Sequence, residues 1–225
     1  MSTKASQSIA SKTLTSKTVI ISGLALLSLL PTLAFSHSGH DLLATDAAFI
    51  SSILSGITHP LTGLDHLMLA LGMGMLLTQM HSFKKGFASL GVGLVVGFAL
   101  SLSVSLNPMF IEYGILFSIV ALTTALMSRY FNNSLNQSNK ASVKTGHNLA
   151  IIGFGALAMF HGAAHAIEVP TSSTIAGFFT GMIIAMLGLY TVGKGVAIYL
   201  NHRLPNSLIT QRIIAVFGLC AVLLS

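Results

Sequence analysis

Long apolar runs separated by short polar joints dominate this chain. Six runs, approximately 64–80, 87–106, 109–130, 148–167, 174–200 and 208–225, come near the length a spanning helix needs. That length is about 20 residues, enough to cross about 30 Å of hydrocarbon. An earlier apolar stretch, from Ala47 to Thr58, is too short for this and ends at His59-Pro60. The residue before a proline disfavours helix, so the stretch is expected to be a re-entrant or interfacial piece lying over whatever site the bundle builds. Ahead of it, Lys4, Lys12 and Lys17 precede an apolar run from Val19 to Leu30, followed by small residues around Ala34-Phe35-Ser36. This is the pattern of a secretory signal peptide over residues 1–36, with cleavage after Ser36. The mature chain, residues 37–225, is then one all-α integral membrane bundle of six transmembrane helices that starts outside, in a bacterial periplasm.

The polar joints test this arrangement. Basic residues gather in loops on the cytoplasmic side of a membrane protein. With the mature N-terminus outside, the inner joints hold Lys84 and Lys85, then Arg129, Lys140 and Lys144, then Lys194, Arg203 and Arg212. The outer turns, at Asn107-Pro108 and from Pro170 to Thr174, hold no Lys or Arg. The acids sort the other way: Asp41, Asp46, Asp65, Glu112 and Glu168 all fall at or near the outer face. An acidic outer mouth raises the local concentration of a cation.

Composition narrows the class. The chain is 53% hydrophobic and 7% charged, with a mean hydropathy of +0.83. A soluble domain carries about 25% charged residues, so this is a membrane protein and the lipid bilayer is its first partner. The pI of about 9.7 reflects topology-setting loops, and no nucleic-acid partner is expected. The single cysteine, Cys220, excludes an intrachain disulfide and a cysteine-based zinc or iron–sulfur site. Glycine pairs such as Gly93/Gly97 and Gly177/Gly181 let helix backbones approach closely, and the methionines read as adaptable apolar filler.

The chemistry sits in two histidine motifs. The first is His59-Pro60-Leu61-Thr62-Gly63-Leu64-Asp65-His66, at the entrance to the first long run. The second closes the fourth run as Phe160-His161-Gly162-Ala163-Ala164-His165-Ala166-Ile167-Glu168. On a helix, His161, His165 and Glu168 share one face, and two imidazoles four residues apart can grip one metal ion. Both motifs fall at the outer depth, so they are expected to converge on one site. Imidazole with carboxylate suits divalent Ni, Co, Zn, Cu or Fe. The bland alternative is a buried hydrogen-bonded network that pins helices together. His37 and His40, beside Asp41 at the mature N-terminus, are candidates for first capture of the ion. His81, His147 and His202 lie near inner helix ends and read as interface residues.

At these motifs the sequence resembles the HupE/UreJ family of membrane proteins. The resemblance rests on His37-Ser38-Gly39-His40 after a signal peptide and on both histidine motifs, with Ala166 standing where the family has glycine. It implies a permease, not an enzyme, that takes up Ni²⁺ or, in some members, Co²⁺ across the inner membrane for hydrogenase or urease. It implies that His59, Asp65, His66, His161, His165 and Glu168 form the metal path. No prosthetic group is implied; the metal is cargo. Self-association into a homo-oligomer is left open.

Two rival readings use the same histidines. One is an intramembrane zinc hydrolase with three protein ligands, a metal-bound water and Asp65 or Glu168 as general base. The other is a haem protein with axial histidines from facing helices. No G-x-x-x-x-G-K-[ST] phosphate loop occurs, so nothing in the chain suggests ATP hydrolysis.

Overall fold

In a computed structural model of the chain, the described residues are 44–128, 140–204 and 207–224, with side chains over 47–128, 145–204 and 209–224. The expected signal peptide, His37 and His40 lie outside them. The described residues form helices and no strand: α1 (Ala44–Thr62), α2 (Leu64–Gln79), α3 (Phe83–Ser103), α4 (Pro108–Met127), α5 (Lys140–Ile167), α6 (Ile175–Arg203) and α7 (Ser207–Leu224).

Local chemistry sets the joints. α4 starts with Asn107, whose side chain accepts from the Met109 amide at 2.9 Å, and with Pro108 at the first helical position, where its missing N–H costs no bond. Thr174 caps α6 by accepting from the Gly177 amide at 3.3 Å. α2 ends in a tight reversal: the Ser82 amide donates to the Leu77 carbonyl at 2.8 Å and the His81 amide to Thr78 at 3.1 Å. This pair of bonds places its closing residue in the left-handed region, and His81 occupies it with φ 51°.

Packing makes α2 the centre of the bundle. Leu69, Met73, Leu76 and Leu77 are fully buried, as are Leu90 and Leu94 of α3 and Met182, Met186 and Tyr190 of α6. The outer surface is apolar, with Val92, Phe117, Ile184 and Phe217 exposed, as suits side chains facing lipid. At the end of α2 away from His66 a polar thread crosses the helices. Gln79 donates to Gln211 of α7, which donates to Asn201 of α6 at 3.3 Å.

Glycines set two close helix crossings. A Cβ on Gly97 would stand 1.9 Å from the Met159 carbonyl oxygen, and one on Gly93 2.2 Å from that of Gly155, so α3 and α5 meet backbone to backbone. Gly177 and Gly181 do the same for α1 against α6, where Gly181 faces Ile53. The Thr174 amide adds a 2.8 Å bond to the Ser52 hydroxyl. Gly97→Ala therefore forces the two helices apart and is expected to lower stability by about 1–3 kcal/mol, the usual cost of overpacking. Gly153→Ala has open space around its Cβ and is expected to raise stability by about 0.5–1 kcal/mol through helix propensity. Thermal midpoints of the two purified variants, moving in opposite directions, check both.

Four helices are long and apolar enough to cross a membrane: α3, α4, α6 and α5 from Thr145 onward. A fifth candidate is the pair α1 and α2, bent by 80° at the break between them, while the apolar part of α7, Ile209–Leu224, is shorter. The expected end of the first apolar stretch at Thr58 is corrected. Helix α1 runs through His59 and Pro60 to Thr62, and the break falls at Gly63. The bias before proline is local and costs one backbone bond here; the contacts of α1 along α6 outweigh it. Gly56, four residues before Pro60, lies against the Phe178 carbonyl, within the α1–α6 contact.

Candidate metal site

Both histidine motifs meet where the α1–α2 break faces the end of α5. His59 stands in the last turn of α1 and His165 in the last turn of α5, each at the negative end of its helix, while Asp65 occupies the first turn of α2. These placements suit the helix dipoles. His161, one turn before His165, shares its face.

Ligand atoms of His59, His66, His165 and Glu168 all lie within 4.8 Å of one another. The ring centroids of His59 and His165 are 5.0 Å apart, and those of His66 and His165 4.6 Å. His59 Nε2 contacts Glu168 Oε2 at 3.0 Å, and His165 Nδ1 lies 3.3 Å from the same oxygen. Asp65 stands behind this quartet. Its Oδ1 holds His66 Nδ1 at 2.8 Å, and its Oδ2 is 3.9 Å from His161 Nε2. Fixing one nitrogen of a histidine with a carboxylate aims the other at a metal and raises its basicity. The free nitrogen of His66 is Nε2. His161 sits next to His66, with ring centroids 5.4 Å apart, outside the quartet and fully buried.

Burial grades across the site. Glu168 and His59 are partly exposed, with side-chain exposures of 44% and 32%, while His66 falls to 7% and His161 and His165 to zero. Five buried imidazole nitrogens have no hydrogen-bond partner: His66 Nε2 and both nitrogens of His161 and of His165. The 3.3 Å approach of His165 to Glu168 is close but lacks hydrogen-bond geometry. Buried polar atoms are nearly always satisfied, and each exception needs a cause such as an ion. A helix-pinning network accounts for the His59–Glu168 and His66–Asp65 bonds but not for His161 and His165, whose nitrogens are bonded to nothing.

Sequence reasoning passes over two residues here. A Cβ on Gly63 would crowd His66 Nδ1 and stand 2.9 Å from Asp65 Oδ1, so a side chain at the break would displace that pair. Phe178 of α6 sets its ring 5.6 Å from that of His59 and walls the mouth. A glycine beside a histidine motif is the only signal for the first; nothing in the sequence marks the second. Of the other histidines, His81 lies at the opposite end of α2.

The Glu168 carboxyl is held below its ordinary value first by the adjacent His165 imidazole and then by the hydrogen bond with His59, against an opposing effect of burial. It stays ionised through neutral and mildly acidic pH, so its negative charge faces a cation across that whole range. A depressed carboxyl stabilises the fold above the unfolded chain's value near 4.5 and loses that contribution as pH falls through the lower folded value. Glu168→Gln is expected to lower the unfolding midpoint of the metal-free chain at pH 7, with the gap to wild type closing as the pH is taken well below 4.5.

With this geometry in hand, comparison with known proteins decides the family. The model described as HupE / UreJ protein matches residues 24–224. The chain belongs to the HupE/UreJ family. The HupE/UreJ match spans both histidine motifs and every described helix. Among curated proteins the chain is similar to Protein HupE of Rhizobium leguminosarum bv. viciae, at 29% identity over 177 residues, covering 75% of this chain and 78% of that one. No solved structure matches.

Proposed function

We propose that this chain is a secondary permease that takes up divalent nickel, with cobalt as an alternative cargo, across the bacterial inner membrane for the maturation of a hydrogenase or urease. In this reading the mature N-terminus is periplasmic and the bent α1–α2 pair and α7 complete six spans. The observation that carries it is the graded site. Partly exposed His59 and Glu168 open onto buried His66, His165 and His161, whose free nitrogens offer ligand positions. Family membership supports the same reading.

The ion, as substrate, is drawn to the acidic mouth, with first capture assigned to His37 and His40. It exchanges water for His59, Glu168, His165 and Nε2 of His66. Asp65 acts through His66, and His161 offers the next imidazole inward. The membrane potential favours inward movement of a divalent cation by about 4.6 kcal/mol per 100 mV. Imidazoles must shed protons to ligate, so uptake should fall as outside pH drops.

The test is radiolabelled nickel accumulation in cells lacking their own nickel transporters, for wild type, His66→Ala and His161→Ala, with cobalt, zinc and copper as competitors. Uptake by wild type and its loss in both variants, at equal amounts in the membrane, is the expected result. Equal uptake by all three proteins overturns the assignment of the site. No uptake, with zinc held through purification, would instead favour an intramembrane hydrolase.

A further inference from the structure

A second pocket opens at the other end of α2, twelve residues from His66, or about 18 Å along the helix at 1.5 Å per residue. It has a volume of about 570 Å³ and is lined by Thr78, His81, Ser82, Lys84, Lys85 and Lys194, with Phe83 at its wall. It takes no part in the metal site.

Three features mark it as more than the usual basic rim of a membrane protein. First, Lys194 belongs to the body of α6, nine residues before the helix ends at Arg203. Its ammonium stands 4.5 Å over the Phe83 ring, at the pocket wall. Secondly, the pocket is built at the start of α3, where Ser82 provides no side-chain cap. The first backbone N–H groups of a helix lack intrahelical partners and carry positive dipole. Thirdly, no carboxylate answers this charge. The chain's five acids are Asp41, Asp46, Asp65, Glu112 and Glu168. Asp65 begins α2, Glu112 lies near the start of α4 and Glu168 follows α5, all at the opposite end of the bundle by the topology above. Among the described residues no ion pair joins Lys84, Lys85 or Lys194 to an acid; Lys85 donates instead to Asn148 at 3.3 Å.

We propose that this pocket binds a phosphate-bearing anion, held by Lys84, Lys85 and Lys194 at the start of α3; the Thr78 and Ser82 hydroxyls already donate to the Gly74 and Met80 carbonyls, at 2.6 and 3.1 Å. A concave group of lysines beside helix-start amides is complementary to phosphate oxygens. Two sources present that chemistry on the cytoplasmic side: the headgroup of an anionic lipid in the inner leaflet and free phosphate.

The test uses the full chain, purified and stripped of lipid. In one arm, native mass spectrometry counts phosphatidylglycerol and phosphatidylcholine retained by wild type, Lys194→Gln, Lys84→Gln/Lys85→Gln and Arg203→Gln. In the other, equilibrium dialysis measures inorganic phosphate. Arg203 is exposed at the end of α6 and does not line the pocket, so its variant controls for general surface charge. Wild type is expected to prefer phosphatidylglycerol. Each pocket variant should lose about fivefold or more of that binding, the worth of one lysine near an anionic surface, with Arg203→Gln unchanged. Phosphate binding without lipid preference, lost in the same variants, assigns the pocket to the free ion. Lys84 and Lys85 lie at the surface, so the double variant keeps the test open if Lys194→Gln fails to fold. Binding of neither probe by wild type, or equal loss in Arg203→Gln, overturns the proposal.

Discussion

His165→Ala is expected to weaken nickel binding by about two orders of magnitude or more, the largest effect of any single change considered. The partners behind a ligand are already worth roughly 10–100-fold, and a ligand itself should exceed them. His165 sits at the centre of the cluster: its ring is 5.0 Å from that of His59 and 4.6 Å from that of His66, and its Nδ1 is 3.3 Å from Glu168. Deleting it also removes two unsatisfied buried nitrogens, so the metal-free fold should not be harmed by lost bonding; the cost there is the cavity. Titration calorimetry shows the affinity. The shift of the unfolding midpoint on adding nickel gives an independent reading, because a ligand at 100 times its Kd stabilises by about 2.7 kcal/mol. Wild type should show that shift and His165→Ala should lose it.

Asp65→Asn is expected to cost about 10–100-fold in affinity, as for other partners behind a ligand, by a different route. The substituted amide would keep the size of the side chain but lose the charge that holds His66 Nδ1 at 2.8 Å. His66 then remains available as a ligand but is less basic and less well aimed. The two variants therefore differ in a way affinity alone does not show. With cobalt as a spectroscopic probe, Asp65→Asn should bind weakly with the wild-type number of imidazoles, and His165→Ala with one fewer. If Asp65→Asn instead loses an oxygen ligand at full imidazole count, Asp65 binds the ion directly.

The second histidine motif is legible in the sequence because a single helix fixes it: His161, His165 and Glu168 share a face by spacing alone. The meeting of both motifs is legible from topology, since charge sorting puts them at one depth. Two things are not. The course of α1 is misjudged from Pro60, whose influence is local, whereas the helix is settled by Gly56, Gly177 and Gly181 meeting their neighbours' backbones. The division of labour within the first motif is also hidden. Neighbours such as Asp65 and His66 need not touch on a helix, and only the break at Gly63 and the approach of α5 show that one supports the other. Six candidate ligands in the sequence thus become a quartet, one carboxylate behind it and one imidazole beyond. The lysines of the joints carry a topological meaning in the sequence; that Lys84, Lys85 and Lys194 share a pocket depends on how α6 packs beside the α2–α3 turn.

The most direct test of the account is X-ray absorption at the nickel edge on the full chain, loaded with nickel and desalted. The expected spectrum shows nitrogen and oxygen neighbours only, with outer-shell scattering from three imidazoles, those of His59, His66 and His165. Sulfur neighbours, a fully hydrated ion, or no nickel retained at all would contradict it.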